Sequence, residues 1–432
     1  MIEPLIVVLI LLALIALGAP IFLALGAAGL TGLYLTRGTM AFFFGPTSLF
    51  GQLNSFELLA LPLFVLMGNF LAATPVGKNL FHAAVVWLQW LRGGLAIATV
   101  GASAVFGAVS GVSIAGVAAV GSIAVPQMLA RGYSRSIAAG SVVTSGALAM
   151  LIPPSVPLII YGAVSNVSVA DLFIGGIVPG VALALALSVY IYIRATLHPE
   201  EAPEGERQVY SLGERMRSLA GIWHALLLIA VVLGVIYSGV ATPSEAAAFG
   251  ALGAFVIAAF VFRSVDLKGT LEVLGSSARI SGAILLIMGC ARIFGDYLNL
   301  VRVPDTVSEL LLGTNLPAEV ILVLIMLALI GLGMLVDAVV ADRRHHAHPV
   351  AADHDARLRP VVVRHHPGDE PEIAVVTPPV GLNLYTLKAV APMLRIEEIV
   401  RSVVPFVGVQ FLMLLVFVLF PSISLWLPNL LK

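Results

Sequence analysis

The sequence predicts an all-α polytopic membrane protein, because it combines high hydrophobicity, little charge and long apolar runs. Of its 432 residues, 59% are hydrophobic and only 11% are charged, and the mean hydropathy is +1.04. Soluble domains carry about a quarter charged residues, so most of this surface is expected to face lipid. Because backbone amides in hydrocarbon have no water to bond, apolar stretches of this length form helices.

The apolar runs predict roughly ten to twelve membrane segments, at about 20 residues for each span. Residues 4–36 are expected to form one long tilted helix or two shorter pieces, interrupted at Gly18-Ala19-Pro20. The first run has no basic start and no clear cleavage site, so it is expected to be a retained anchor. Further spans are predicted over 57–73, 221–240, 246–262, 279–299, 317–337 and 402–420.

The chain divides into four predicted regions. Residues 1–92 hold scaffold helices and, over 77–92, an interfacial helix with tryptophans at headgroup depth. Residues 93–195 form a first repeat with a hairpin and a broken helix, 196–217 an extramembrane connector, and 218–432 a second repeat. Short arginine-bearing loops occur at 131–135, 194–217 and 263, and the positive-inside rule would place them in the cytoplasm.

Composition also argues against several function classes. The net charge of −1 gives no reason to expect a nucleic-acid partner. Cys290 is the single cysteine, so the chain can form neither an internal disulfide nor a cysteine-rich metal site.

An internal repeat is visible around two Pro-Pro pairs. Residues 144–161 read TSGALAMLIPPSVPLIIY, and 376–385 read VTPPVGLNLY. Gly107 and Pro153 are 46 residues apart, and Gly333 and Pro378 are 45 apart. Matching helix breaks in two halves are typical of a repeat-built transporter whose site lies near mid-membrane. Freed carbonyls there can bind Na⁺, and freed helix N-termini can face a carboxylate.

Five motifs together resemble the large permease subunit, DctM-like, of tripartite ATP-independent periplasmic (TRAP) transporters. The resemblance covers about residues 3–420. The motifs are FELLALPLFVLMGNFL (56–71), FGAVSGVSIAGVAAVGSIAVPQM (106–128), TSGALAMLIPPS (144–155), ATPSEAAA (241–248) and TPPVGLNLY (377–385).

The resemblance implies an inverted-repeat fold in the bacterial inner membrane, with a scaffold and an elevator-type transport domain that carries two re-entrant hairpins. It implies two partners: a small four-helix membrane subunit (DctQ-like) and a periplasmic solute-binding protein (DctP-like). A Na⁺ gradient would drive import of a carboxylate, such as a C4-dicarboxylate or sialic acid, with no other cofactor. The sequence contains no GxxxxGK[ST] nucleotide-binding motif, which is consistent with transport that does not use ATP.

Candidate site residues are small or polar and lie at the predicted breaks. Asn383 is the favoured contact, since an amide at membrane depth is costly without a role. The alternative for the small residues is close helix packing, and for Asp337 a place at a helix end. The set is Ser110, Gly111 and Ser113 at the first hairpin turn; Thr144, Ser145, Gly146, Pro153, Pro154 and Ser155 in the first broken helix; and Gly333, Asp337, Thr377, Pro378, Pro379, Gly381 and Asn383 in the second half.

Other charged residues within apolar stretches receive structural interpretations. Glu57 and Glu245 each begin a span, where a carboxylate is stabilised as a cap. Arg292 and Asp296 are four residues apart and are expected to pair. Cys290 is expected to pack.

Residues 337–372 differ from the rest, with 12 of the 47 charged residues and six of the nine histidines. At roughly 2.5–3.5 kcal/mol per central charge, this segment cannot be a lipid-facing span. The preferred interpretation is a translated frameshift within 338–372, because His and Asp codons read one base later encode Thr, Ile or Met. The chain as printed would then be inactive. The alternatives are a polar loop, or a metal site built from His345, His346, His348, Asp353, His354, His365 and His366.

Two rival functions remain open from the sequence. One is a stand-alone Na⁺/dicarboxylate symporter or antiporter, which would need no partner proteins. The other is a metal-dependent membrane enzyme that uses the histidine-rich segment. The transporter is favoured and an enzyme is not expected, because clustered ionisable residues are absent outside 337–372.

Overall fold

The fold is an all-helical bundle with several bent or broken helices. A computed structural model describes residues 2–203, 210–313 and 381–431, together with 317, 320–321, 323–328, 330–331 and 376. Every helix named below lies within those residues. In chain order they are α1 (Ile2–Ala16), α2 (Ile21–Arg37), α3 (Ala41–Leu53), α4 (Ala60–Ala72), α5 (Val76–Leu88), α6 (Gly94–Ser110), α7 (Ser113–Ala130), α8 (Arg135–Ala147), α9 (Val156–Ser165), α10 (Val169–Leu197), α11 (Leu212–Ala220), α12 (Trp223–Tyr237), α13 (Pro243–Val256), α14 (Leu267–Leu300), α15 (Val303–Leu312), α16 (Leu382–Val390), α17 (Ile396–Leu419) and α18 (Ser422–Leu431).

Six helical segments of the described chain are long and apolar enough to cross a membrane, or eight if each bent pair counts as one span. The sequence predicts more, because it counts apolar runs that the structure breaks into pieces too short to span. Examples are α1, α6 and α9. Most of the span predicted at 317–337 lies outside the described residues. The six segments are Ile21–Leu53, Ser113–Ala130, Val169–Leu197, Pro243–Val261, Leu267–Leu300 and Ile396–Leu419.

Residues 4–36 form two shorter helices, which is one of the two predicted arrangements. α1 ends at Ala16 and α2 begins at Ile21, directly after Pro20. Gly18 between them has a φ of +81°, which glycine adopts without strain. Proline has no N–H to continue a helix but fits well just before one, so the break follows from the sequence.

The predicted interfacial helix and connector are both helical in part. α5 meets the segment Phe56–Ala72 at 70°, and α11 meets α12 at 57°. α5 buries Leu80, Phe81 and Val85, so it packs on the bundle along one face. α11 begins with a capping box in which Ser211 and Glu214 bond each other reciprocally.

Small residues bring the central helices close together. Every residue of α8 from Ile137 to Ala147 is buried. A Cβ on Gly140 of α8 would lie 2.3 Å from the ring of Phe406 on α17, so only glycine allows this approach. α4 and α10 meet through an edge-to-face contact of Phe64 with Phe173, at 6.1 Å between ring centroids.

Two of the arginine-bearing loops lie at the same end of the bundle. Arg194 near the end of α10 forms two hydrogen bonds with Glu201, at 2.6 and 2.9 Å. Its Nη2 also donates to Ser136 Oγ at 3.1 Å, which joins the loop before α8 to this end. Arg135 pairs with Glu398 at the start of α17 at 2.8 Å. The positive-inside rule predicts that this end is cytoplasmic, and that stays a prediction.

The structural interpretations of the other polar residues are confirmed where the structure describes them. Thr242 and Glu245 form a capping box at the start of α13. Arg292 Nε lies 3.0 Å from Asp296 Oδ1. Cys290 Sγ packs against Gly26, at 3.1 Å from a Cβ placed there.

Candidate substrate and ion site

The first predicted hairpin turn is present between α6 and α7. α6 ends at Ser110 and α7 begins at Ser113, so two residues reverse the chain. Gly111 has a φ of +64°, and its N–H donates to Gly107 O at 2.7 Å. Glycine at this left-handed position ends the helix without strain. The last carbonyls of α6 and the first amides of α7 are thereby released from their helices.

The first broken helix is also present, between α8 and α9. α8 ends at Ala147, a 3-10 turn covers Leu148–Met150, and α9 begins at Val156 after Pro153 and Pro154. The peptide bond between these prolines is cis. Neither proline has an N–H, so the helical ladder stops here. The Ser155 hydroxyl donates to the Met150 carbonyl and closes the loop across both prolines.

These two breaks meet. The Val156 N–H at the start of α9 donates to Gly111 O at 3.3 Å. A Cβ on Gly111 would lie 2.8 Å from the carbonyl oxygen of Pro154. The hairpin turn and the start of α9 are therefore in direct backbone contact, with the carboxyl end of α6 beside the amino end of α9.

Asn383 joins the same region from the far end of the chain. It lies in the first turn of α16, after Gly381, whose φ is +28°. Its Nδ2 donates to Ser113 Oγ at 2.7 Å and to the Val143 carbonyl at 3.2 Å. The Ser113 hydroxyl donates to Asn383 Oδ1 at 2.9 Å. Asn383 is 0% exposed and Ser113 is 3% exposed, so this is an interior polar contact.

Three helix N-termini converge here without side-chain caps. They are those of α7, α9 and α16, and their N-cap residues are Val112, Ser155 and Gly381, none of which forms a side-chain cap hydrogen bond. The helix dipole favours an anion at such ends. At α9 the Val156 N–H is already bonded to Gly111 O and Pro157 has no N–H, so the dipole rather than a free amide acts there. Neutral oxygens of Ser113, Val143 and Asn383 lie beside them, and such oxygens suit a hard cation.

The remaining first-half residues take packing roles in the structure. Thr144 and Ser145 bond carbonyls of their own helix, at Gly140 (2.7 Å) and Val142 (3.3 Å). A Cβ on Gly146 would lie 2.2 Å from the side chain of Val117. These contacts agree with the packing alternative, and a role of these residues in binding stays a prediction.

Ser110 also faces a neighbouring helix. Its carbonyl oxygen lies 2.6 Å from a Cβ placed on Gly68 of α4, and its hydroxyl lies 3.4 Å from Val112 O. α4 therefore covers the carboxyl end of α6.

Several predicted residues lie outside the described part of the chain. They are Gly333, Asp337, Thr377, Pro378 and Pro379, and with them the whole of 338–372, including the histidines of the alternative metal site. Among the described residues, no group of three or more His, Cys, Asp or Glu could hold a metal ion.

The sequence analysis missed two contributors to this region. The Val143 carbonyl accepts from Asn383, and every residue carries such a carbonyl, so no sequence signal marks it. Gly68 allows the close approach of α4 to Ser110. Gly68 lies beside Asn69 inside one of the five motifs, and that position could have marked it as a residue of close helix contact.

Comparison with known proteins agrees with this architecture. The model of the family described as "Tripartite ATP-independent periplasmic transporter, DctM component" matches residues 8–423. A C4-dicarboxylate TRAP transporter large permease protein of Vibrio cholerae is 32% identical over 98% of this chain and 97% of its own. The Pseudomonas aeruginosa protein of the same name is 35% identical over 88% of each chain.

Relatives with other names are similar too. The ectoine/5-hydroxyectoine TRAP transporter large permease protein of Ruegeria pomeroyi is 31% identical over 98% of both chains. Among solved structures, the YdaH transporter of Alcanivorax borkumensis superposes with a TM-score of 0.53 at 15% identity, covering 90% of this chain and 89% of its own. That likeness concerns the fold.

These matches confirm the resemblance that the five motifs carry, and they agree with the all-helical fold predicted from composition. The protein resides in the inner membrane. The chain therefore belongs to the DctM component family, the large permease subunits of tripartite ATP-independent periplasmic transporters.

Proposed function

We propose that this chain forms the membrane pathway of a Na⁺-gradient-driven secondary transporter that imports a carboxylate. The observation that carries the proposal is the meeting of three uncapped helix N-termini beside the Ser113–Asn383 contact. The amides supply partial positive charge for a carboxylate, while the neighbouring neutral oxygens supply ligands for a cation. Both are available without a formal protein charge.

A carboxylate is favoured over a cationic or neutral substrate for two reasons. Uncapped helix N-termini attract anions, and three of them lie together. Two relatives carry names for C4-dicarboxylate transport, whereas another is named for ectoine. Within the carboxylates, C4-dicarboxylates are therefore the first class to test, with sialic acid as the second.

Two partners are proposed. One is a small four-helix membrane subunit, and the other is a periplasmic binding protein that delivers the substrate. The family description, which names a tripartite periplasmic transporter, supports this assignment. Movement would follow an elevator scheme, in which the hairpin and the broken helices travel together against a scaffold. The direct backbone contact of Gly111 with Val156 supports a shared movement.

The test is uptake by proteoliposomes that contain this chain with its reading frame through 337–372 restored, the small subunit and the binding protein. Radiolabelled succinate and sialic acid are supplied with an inward Na⁺ gradient, with an equal K⁺ gradient, or with Na⁺ and an ionophore that collapses the gradient. We expect uptake only with the intact Na⁺ gradient. Equal uptake in all three conditions would exclude Na⁺ coupling.

Two further arms make the result decisive. The chain as printed is assayed in parallel, because the frameshift interpretation predicts that it is inactive. Leaving out the binding protein then separates the tripartite mechanism from a stand-alone symporter. Full uptake without that protein would identify a stand-alone symporter instead.

A further inference from the structure

The contact between α4 and the first hairpin turn is made by bare backbone. Gly68 is buried within α4, and a Cβ placed on it would lie 2.6 Å from Ser110 O and 3.0 Å from Ser110 Cα. The nearest atom is a backbone carbonyl oxygen, which has no side-chain rotation by which it could move away. A side chain at position 68 would therefore displace either α4 or the turn.

On its other sides, α4 is fixed to α13 and α14. Phe70 of α4 and Phe255 of α13 form an edge-to-face contact, with 5.4 Å between the ring centroids. Asn69 Nδ2 donates to Ser277 Oγ of α14 at 2.8 Å. Interlocking rings and a hydrogen bond thus hold α4 to these two helices.

The hairpin turn is bonded to a different set of helices. Gly111 O accepts from the Val156 N–H of α9, and Ser113 exchanges hydrogen bonds with Asn383 of α16. Asn69 is the only polar residue of α4, and its amide is bonded to α14. Towards the turn, α4 therefore presents apolar side chains and bare backbone, and such a contact separates without the loss of a side-chain hydrogen bond.

The second half of the chain repeats the sequence of this part of α4. Residues 68–71 read GNFL, and residues 295–298 read GDYL. Both sets lie near the end of their helix, since α4 ends at Ala72 and α14 ends at Leu300. Gly295 is also buried. Equivalent positions in the two halves of a repeat-built transporter favour a role in transport over a local accident of packing.

We propose that Gly68 is a positioning residue of the transport cycle, an inference that rests on the proposed function. α4 stays with α13 and α14, while the hairpin turn leaves this contact and returns to it once in each cycle. A side chain at position 68 meets Ser110 O before the turn is seated, so it opposes the return. The size of that side chain sets the rate of the cycle and leaves the affinity for substrate unchanged.

The experiment compares Gly68→Ala with Gly250→Ala in the chain whose reading frame is restored. Gly250 of α13 is the matched control, because a Cβ there would lie 2.6 Å from Met67 Sδ, a distance equal to that at Gly68. The thioether is the flexible part of a side chain and can move aside, and this contact lies between two helices that stay together. Maximal uptake rate and KM are measured on whichever of succinate, sialic acid and ectoine the parent chain imports.

We expect Gly68→Ala to lower the maximal rate at least about tenfold and to change KM by less than about twofold, because overpacking at a backbone contact opposes one state of the cycle. Gly250→Ala should keep the parent rate. Melting temperatures in detergent show whether each variant is folded. A parent rate in Gly68→Ala, or an equal loss in Gly250→Ala, would overturn the proposal.

Hydrogen–deuterium exchange over residues 107–113 is a second measurement, and it needs no transport. We expect faster exchange at the hairpin turn in Gly68→Ala than in Gly250→Ala or the parent chain. Equal exchange in all three would also overturn the proposal, and this measurement decides alone if the parent imports none of the three substrates.

Two further outcomes are kept apart. If Gly68→Ala does not fold, Asn69→Leu takes its place, because it unfastens α4 from α14 and should slow uptake at constant KM. A parent rate in that variant would count against the proposal. Uptake by the parent without a Na⁺ gradient would refute the proposed function, whereas the comparison of Gly68→Ala with Gly250→Ala is made on the same substrate and keeps its meaning.

Discussion

Asn383 and Ser113 are 270 positions apart in the chain, yet the amide nitrogen of one lies 2.7 Å from the hydroxyl oxygen of the other. This contact joins the start of α16 to the first hairpin turn. With the Val143 carbonyl, it links α16 to two helices of the first half of the chain, α7 and α8.

The first prediction concerns this pair. Asn383→Ala removes the partner of the buried Ser113 hydroxyl and the bond to the Val143 carbonyl, which should cost about 1–3 kcal/mol of stability. Ser113→Ala should cost less. In the chain whose reading frame is restored, which is the background for every uptake measurement, Na⁺-driven uptake should fall at least about tenfold in each variant. The double variant should transport no less than the more severely impaired single variant, because the two residues act as a unit. Losses that simply add in the double variant would show that the contact plays no joint role in uptake.

The second prediction concerns the hairpin turn. Gly111→Ala adds a methyl group 2.8 Å from the Pro154 carbonyl at a φ of +64°, so it should separate the two breaks and abolish uptake. Gly234→Ala is the matched control, since nothing lies within 4 Å of a Cβ there. Inside α12 that change should be neutral or stabilise by up to about 1 kcal/mol. Uptake and melting temperature are measured on both variants. Wild-type uptake by Gly111→Ala would refute the importance of this contact.

The third prediction compares two arginines. The Arg194 side chain is 17% exposed and bonds Glu201, Tyr190 and Ser136. Arg194→Gln should destabilise the protein by several kcal/mol, because it leaves a partly buried carboxylate without its partner. Arg302→Gln removes a pair whose arginine is 76% exposed, and it should change stability by at most about 1 kcal/mol. Thermal unfolding in detergent measures both. Equal losses of melting temperature would mean that Arg194 acts as an ordinary surface residue.

The fourth prediction concerns residues 337–372. Sequencing the gene should reveal a displaced reading frame through this segment. The corrected gene should encode an apolar, Thr- and Pro-containing stretch and should restore uptake that the printed chain lacks. A single intact frame, with uptake by the printed chain, would contradict this interpretation.

The helix breaks could be predicted from the sequence because glycine and proline act locally. Gly111 ends α6, Pro153 and Pro154 end the helix that begins at Arg135, and Pro20 separates α1 from α2. Each break needs only the absent Cβ or the absent N–H of the residue itself.

The partners of the site could not be predicted in the same way. The hydroxyls of Thr144 and Ser145 donate to carbonyls of their own helix, as such residues commonly do, and their role as ligands stays a prediction. The Val143 carbonyl has no side-chain signature. α11 lies inside the predicted connector and begins with a capping box formed by Ser211 and Glu214. The Ser-x-x-Glu pattern is present in the sequence, but the high charge of the segment indicated a loop instead.

The groups that meet at the hairpin turn are hydroxyl, carboxamide and peptide groups. None of them ionises over the physiological pH range. The polar contact formed by Ser113, Asn383 and the Val143 carbonyl therefore keeps the same charge across that range. If import varies with external pH, the group that titrates is either the substrate or a protein group remote from these three. A substrate analogue of fixed charge would remove the pH dependence if the substrate is the titrating group.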